Sequence, residues 1–399
     1  MNRDVRLIAL ALLLWGFGEG LFFYIEPLYI EQLGADPVQL GTVLSAAAVI
    51  RAAVYLPGGI MADRIPRKRL VVGGWMVGVA GVLVVGAARS WQGLIPGLLI
   101  YALSAYCVPV INAYLAHSVG GRRLARTFTT VFAGYAIGGV LSPPVGGWIA
   151  EATSMRMVYF VSALVFALSM LTVLHVSPQP AKPRSHRRRQ WESLLNRRFL
   201  SFAAVVWLMF AAMFLSYPLA SNFLKHGGGW SIAQIGALGS FQALGAAFLG
   251  PLLGRLSDGA ARQDPFRDEG APRVRTTTQS SLLHPSRALL VGQGLVWFSA
   301  LVLLLAATFP VLAVAYLLRG AYQGCRSLTQ AQATTLADQE DRGLVLGATE
   351  TAIAAAQVLA PYTAGWLYAA DSSYPIVASL VLIPVTLLVS SVWLNRGDV

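Results

Sequence analysis

The chain has 399 residues, 56% of them hydrophobic and only 12% charged, with a mean hydropathy of +0.61 and a formal net charge of +12. A soluble globular protein carries about 25% charged residues, so this composition excludes a string of water-soluble domains with polar surfaces. The two cysteines, Cys107 and Cys325, both lie in apolar runs, which excludes a disulfide framework and leaves two buried thiols.

Apolar runs recur, each long enough to cross a ~30 Å hydrocarbon core at about 1.5 Å per residue. Backbone polar groups in lipid must be paired within the segment, so each run is predicted to be a helix. Twelve spans are expected, at 5–30, 39–62, 70–88, 93–117, 126–150, 155–176, 199–224, 231–256, 287–307, 311–333, 343–369 and 373–394. The fold class is an all-α polytopic membrane protein.

Span 1 follows the basic start MNRDVRL, is too long for a signal peptide, and is read as a retained helix. It places Glu19, Phe23 and Glu26 on one face. Span 2 holds Arg51 and ends in GGIMADRIPRKRL, which sets Gly59 and Asp63 before Arg64, Arg67 and Lys68. Span 4 offers Tyr106 and Asn112, and span 5 carries GGVLSPPVGGW, with Gly138, Pro143, Gly146 and Gly147. Span 6 is followed by the Pro- and Arg-rich stretch SPQPAKPRSHRRRQ, read as a linker over 177–198. Span 7 supplies Trp207, Tyr217 and Asn222, and span 8 ends near Gly254 and Asp258 before a long polar loop at about 257–286. Span 10 aligns Arg319, Gln323, Arg326 and Gln330 on one face, and span 11 holds Glu350.

With an even number of spans, both termini and every second loop share one side. Most of the 30 Lys and Arg fall there, and only Arg89, Arg156 and Lys225 fall opposite. The positive-inside rule then places both termini in the cytoplasm. The excess charge is topological, and no nucleic-acid partner is expected.

The chain also repeats itself. Gln39 and Gly41 match Gln234 and Gly236 at one offset (234 − 39 = 195), as do Gly59 and Asp63 with Gly254 and Asp258. Farther on, Pro143 and Gly147 match Pro361 and Gly365 at another (361 − 143 = 218), as do the two cysteines. The difference (218 − 195 = 23) marks an insertion in the loop after span 8. The expected organisation is a six-helix bundle over 1–176, the linker, and a second six-helix bundle over 199–399. Such repeats belong to transporters whose site lies between the halves near the bilayer midplane.

These features together resemble the major facilitator superfamily, over the whole chain. Gly59, Asp63, Arg64, Arg67 and Lys68 follow its loop signature between helices 2 and 3, with Pro66 where a second Gly is usual. The resemblance implies a cytoplasmic gate latch in which Asp63 meets the N-terminus of span 11; a positive-inside stop signal alone would leave the Gly and Asp unexplained. The span 5 segment resembles the motif of the drug–proton antiporter branch, with Ser142 in place of the central Gly and Pro144 added. It implies close packing against the other half. The arginine that antiporters often carry in helix 4 is missing here. The family layout also implies that spans 1, 4, 7 and 10 line the central cavity.

Ionisable groups inside spans are costly and point to function. Depth pairs Glu350 with Arg326 and Glu19 with Arg51. Either these are static pairs, or one glutamate exchanges a proton when its arginine moves off. Glu19 is the first choice and Glu26 the second. No nucleophile–base cluster, metal-ligand spacing or Walker sequence is present, so no enzyme activity, cofactor or metal is expected. The expected function is secondary transport of a small molecule across the cytoplasmic membrane, by a monomer, with protons as coupling ion. Export of amphipathic compounds is preferred, from the span 5 motif and the aromatics Trp15, Phe22, Phe23, Trp207, Phe210 and Phe214. Anion uptake through Arg319 and Arg326 is the alternative, and a non-transporting sensor the remote one.

Overall fold

In the computed structural model, residues 3–118, 124–179, 196–257, 285–333, 336 and 342–396 are described. Among them there are helices and no strands. Asp258, the loop around it and most of the linker lie outside the described residues, as does the side chain of Asp63.

The first half comprises α1 (Arg3–Phe23), α2 (Glu26–Gln32), α3 (Pro37–Arg64), α4 (Arg67–Ala87), α5 (Trp91–Leu103), α6 (Cys107–Ser118), α7 (Leu124–Ala152) and α8 (Met155–Leu174). The second comprises α9 (Arg197–Phe214), α10 (Ala220–Gly228), α11 (Ile232–Ser257), α12 (Pro285–Leu305), α13 (Phe309–Arg319), α14 (Ala321–Ala333), α15 (Arg342–Ala370) and α16 (Tyr374–Arg396). Nine helical stretches among the described residues have the length and hydropathy to cross a membrane. The remaining predicted spans, 126–150, 311–333 and 343–369, coincide with α7, the α13–α14 pair and α15.

Four spans expected to be continuous are broken, and they are spans 1, 4, 7 and 10. Proline explains three of the breaks, because it lacks an N–H and its ring meets the carbonyl four residues back. Pro27 follows the break between α1 and α2, Pro109 the 3-10 turn Ser104–Tyr106 between α5 and α6, and Pro218 lies between α9 and α10. The fourth break falls at Gly320, where any side chain would collide with the backbone of Gly245 and Ala246 in α11.

Local chemistry recurs at the two sequence offsets. α3 opens with a capping box in which Gln39 N–H donates to Asp36 at 2.8 Å and the Gln39 side chain accepts from Asp36 N–H at 3.0 Å. Before α11, Ser231 and Gln234 make the same pair of bonds, at 3.2 and 2.9 Å. The positive-φ residues among the described ones are Gly34 and Gly229, in the turns just before those caps. Cys107 Sγ donates to the Val71 carbonyl and Cys325 Sγ to the Leu289 carbonyl, tying α6 to α4 and α14 to α12.

The halves meet where α3 packs on α15 and α7 on α11. A side chain at Gly41 would fall on the Pro361 carbonyl, and one at Gly236 on the Pro143 carbonyl. Gly365 lies against Pro37, and Gly147 against Ile232 and Ala233. Small residues let these backbones touch. In the span 5 motif, Gly147 and Pro143 face the other half, whereas Gly138 and Gly146 face α1 of their own half, against Leu13 and Leu21. α7 is therefore wedged between α1 and α11.

Large apolar side chains cover the outside, among them Leu305, Phe248, Leu388 and Trp148, each more than half exposed. In water such a surface would aggregate; here it faces lipid. The interior of the first half is an aromatic stack in which Trp15 lies 4.1 Å from Phe166 and Phe22 lies 5.0 Å from Tyr159.

Candidate functional site

The ionisable residues expected inside spans lie on two of the broken spans, 1 and 10, and on α3 and α15. On α1, Glu19 is partly exposed and accepts a hydrogen bond from Tyr135 of α7 at 2.6 Å. Tyr101 of α5 stands within electrostatic reach of the same carboxylate. Glu26, also partly exposed, is the first residue of α2. Arg51 of α3 stands within electrostatic reach of Glu19, Tyr101, Tyr55 and Glu26. It makes no ion pair within 4.0 Å with either glutamate. One cation therefore faces two carboxylates at a distance, and the depth pairing of Glu19 with Arg51 is not closed as an ion pair in this structure.

The other half faces this cluster with a closed pair. Arg326 of α14 grips Glu350 of α15 with two donors, Nε at 3.1 Å and a terminal nitrogen, and Gln330 adds a donor at 2.6 Å. Roughly a third of each charged side chain is exposed (32% and 39%). Tyr55 lies within electrostatic reach of Arg51, Arg326, Glu350 and Glu19, which links the two clusters across the interface. Phe23 is half exposed and Gln323 exposed.

Other predicted cavity residues take different places. Tyr106 turns into its own half, donating to the Leu70 carbonyl of α4 at 3.1 Å. Asn112 of α6 is partly buried, with an Oδ1 that has no hydrogen-bond partner among the described residues. Trp207 packs on the second half's core. Arg319 is 3% exposed, stacked 3.7 Å from the Tyr217 ring, and donates to the Ser216 carbonyl at 2.8 Å. Trp15, Phe22 and Phe210 are core or core-packed residues, not free aromatic surface. Their size satisfies packing before it can serve a ligand.

Asn222 belongs to a closure at one end of the molecule, the end away from the basic turn of Arg64, Arg67 and Lys68. Its Nδ2 donates to Glu31 of α2 at 2.6 Å, and His226 Nε2 lies 3.0 Å from the same carboxylate oxygen. Ser221 donates to the Tyr24 carbonyl at 2.6 Å, Ala233 N–H to Glu151 at 3.1 Å, and Ser240 to the Val140 carbonyl at 2.5 Å. These five bonds between described residues all cross from one half to the other, toward that end. At the basic end, the atom nearest to a side chain placed at Gly59 would be Pro109 of the same half, at 4.0 Å. Arg64 is exposed and Lys68 partly so, while Arg67 is buried and donates to Gln179 at 3.3 Å. Gly254 lies in the last turns of α11.

A sequence model of the Major Facilitator Superfamily matches residues 8–268. The chain belongs to that superfamily. Multidrug resistance protein MdtG of Escherichia coli (strain K12 / DH10B) is 28% identical over 272 residues, which cover 64% of this chain and 66% of MdtG. A bacterial homologue of the human lysosomal transporter Spinster, in an inward-facing and occupied conformation, has a TM-score of 0.75 at 15% identity, covering 99% of this chain and 96% of that one. A mutant of the nucleoside transporter NupG has a TM-score of 0.77 at 13% identity, covering 99% of both chains. The two structural likenesses are to the fold. This Major Facilitator Superfamily protein is thus an all-α, multi-pass membrane transporter.

Several site residues escaped sequence reasoning. Tyr101, Tyr135, Tyr55 and Tyr24 look like ordinary lipid- or core-facing tyrosines in apolar helices. Glu31 and Glu151 sit at span ends, where carboxylates are cheap and draw no notice. The repeat held one usable signal: Ser231 and Gln234 echo Asp36 and Gln39, which marks both places where the halves touch.

Proposed function

We propose that this transporter exports amphipathic, drug-like molecules across the cytoplasmic membrane in exchange for protons. It does so as a monomer of twelve spans, by rocking of two six-helix bundles joined by the basic linker. The observation that carries the reading is Glu19, a partly exposed carboxylate on the first broken span held by the Tyr135 hydroxyl, with Arg51 near but not bound. A lipophilic cation and a proton would neutralise the same charge and so exclude one another. That exclusion is what antiport requires. The likeness to MdtG supports the substrate class.

On this reading the basic end is cytoplasmic, with both termini there, and the conformation is closed on the far side. The bonds from Asn222 and His226 to Glu31 and from Ala233 to Glu151 would be the outer latch. Gly59, Asp63, Arg64, Arg67 and Lys68, with Gly254 and Asp258, would close the cytoplasmic side in the opposite state. Anion uptake through span 10 has less support, because Arg319 is buried and bonded and Arg326 is already committed to Glu350.

Tetraphenylphosphonium uptake into everted vesicles tests the direction. The reading requires accumulation driven by an inside-acid gradient and abolished by a protonophore. Accumulation unaffected by the gradient would refute coupling.

A further inference from the structure

Arg319 is a guanidinium buried within a membrane helix pair, and no carboxylate lies within 4.0 Å of it among the described residues. Its environment is made of two helix breaks. Where α9 ends, the chain turns through Leu215 to Leu219, and the Ala220 N–H that would have met the Ser216 carbonyl bonds Tyr217 O instead. The orphaned Ser216 carbonyl takes its hydrogen bond from Arg319, at 2.8 Å. At the other break, the Gln323 N–H that would have met the Arg319 carbonyl bonds Gly320 O. The orphaned Arg319 carbonyl takes its hydrogen bond from the Tyr217 hydroxyl, also at 2.8 Å. Each break is therefore completed by a side chain from the other. The guanidinium lies 3.7 Å from the Tyr217 ring and 5.3 Å from that of Tyr316, which holds the cation without a counter-ion.

The first half carries the same two breaks without the exchange. At the repeat offsets, Tyr217 corresponds to Phe22 and Arg319 to Tyr101, and these rings meet edge to face at 5.6 Å. The Tyr101 carbonyl, counterpart of that of Arg319, is satisfied by Ser104 of its own span, at 2.6 Å. The Ile25 N–H bonds the Phe22 carbonyl at 2.9 Å as the Ala220 N–H bonds that of Tyr217, but the Leu21 carbonyl, counterpart of that of Ser216, takes no side-chain bond from span 4 among the described residues. An apolar ring contact can slide without leaving a polar group unpaired in lipid, whereas a hydrogen-bonded exchange cannot.

We propose that Tyr217 and Arg319 are a reciprocal clasp, with Arg319 a positioning residue, that makes the two broken spans of the second half move as one body. Rearrangement at the helix breaks is then confined to the first half, on the spans that carry Glu19 and Glu26. The proposal does not depend on the substrate.

Hydrogen exchange of the full chain in nanodiscs tests it, comparing peptides over 212–222 and 316–326 with those over 19–28 and 100–109. The second-half breaks should exchange more slowly. Tyr217→Phe keeps the ring and removes one bond, so it should fold and speed exchange at the partner break, 316–326, by about fivefold, as expected for one net hydrogen bond. Arg319→Met should do the same at 212–222, while Phe22→Leu should act on its own break alone. Changes confined to the substituted break in all variants, or equal exchange in the two wild-type halves, would overturn the clasp. So would a Tyr217→Phe protein with unchanged exchange but tetraphenylphosphonium affinity weakened about tenfold or more, which would make this corner part of the binding site.

Discussion

Glu350 and Arg326 show how much a depth argument can recover: both lie about two turns from one end of adjacent spans, and the structure joins them through two hydrogen bonds with Gln330 as a third donor. Because a third of each side chain is exposed, the pair should add little to stability. Glu350→Gln is expected to cost about 1 kcal/mol or less, a melting shift of at most a few degrees. A scanning-fluorimetry shift of ten degrees or more would contradict that. Tyr135→Phe removes the 2.6 Å donor from Glu19. It should shift the pH dependence of transport while leaving maximal rate within about threefold, since one charge-assisted bond is lost and packing is kept; an unchanged profile would leave the tyrosine without a role. Tyr135 was not legible because a tyrosine in an apolar helix looks the same whether it meets lipid, core or a carboxylate. The glutamates were legible because their cost in lipid leaves few other reasons for them.

At the scale of the element, the spans were readable from length and hydropathy, but their interruptions were not. Pro57, Pro96, Pro143, Pro251, Pro361 and Pro384 all sit inside unbroken helices. Proline alone therefore does not announce a break; what decides is whether neighbours satisfy the freed carbonyl. That information lies in the partner span, as the Ser216 carbonyl and Arg319 illustrate. The contact glycines were readable in type but not in direction: Gly138 and Gly146 meet α1, and Gly147 meets α11. Gly41→Leu should push α3 off Pro361 and open the end away from the basic turn. A cysteine at Ala220, which is 4% exposed there, should then react with a membrane-impermeant maleimide about tenfold faster or more, the change expected if the closed state loses about 1.4 kcal/mol. An unchanged rate would show that this contact does not hold the end shut.

The whole molecule is governed by its repeat. The same caps, the same positive-φ glycines and the same carbonyl-on-glycine contacts appear on both sides of the interface, and they lie toward one end. Symmetric contacts of this kind suit a structure that rocks about its middle, because each set can release as a unit. The bonds to Glu31 break that symmetry. Glu31→Gln keeps the shape and removes the charge that binds Asn222 and His226, so it should widen the distance distribution between spin labels at Arg89 and Asp371. A distribution identical to wild type would remove these residues from the latch.

The central claim is that Glu19 exchanges a proton against substrate. The most direct measurement is substrate-induced pH change in proteoliposomes, with wild type and Glu19→Gln side by side and tetraphenylphosphonium as the probe. Proton movement in the wild type, lost in Glu19→Gln together with gradient-driven accumulation of the probe, is the predicted result. Probe transport by both proteins with no proton movement in either would contradict the claim and return Glu19 to a static partner of Tyr135 and Arg51.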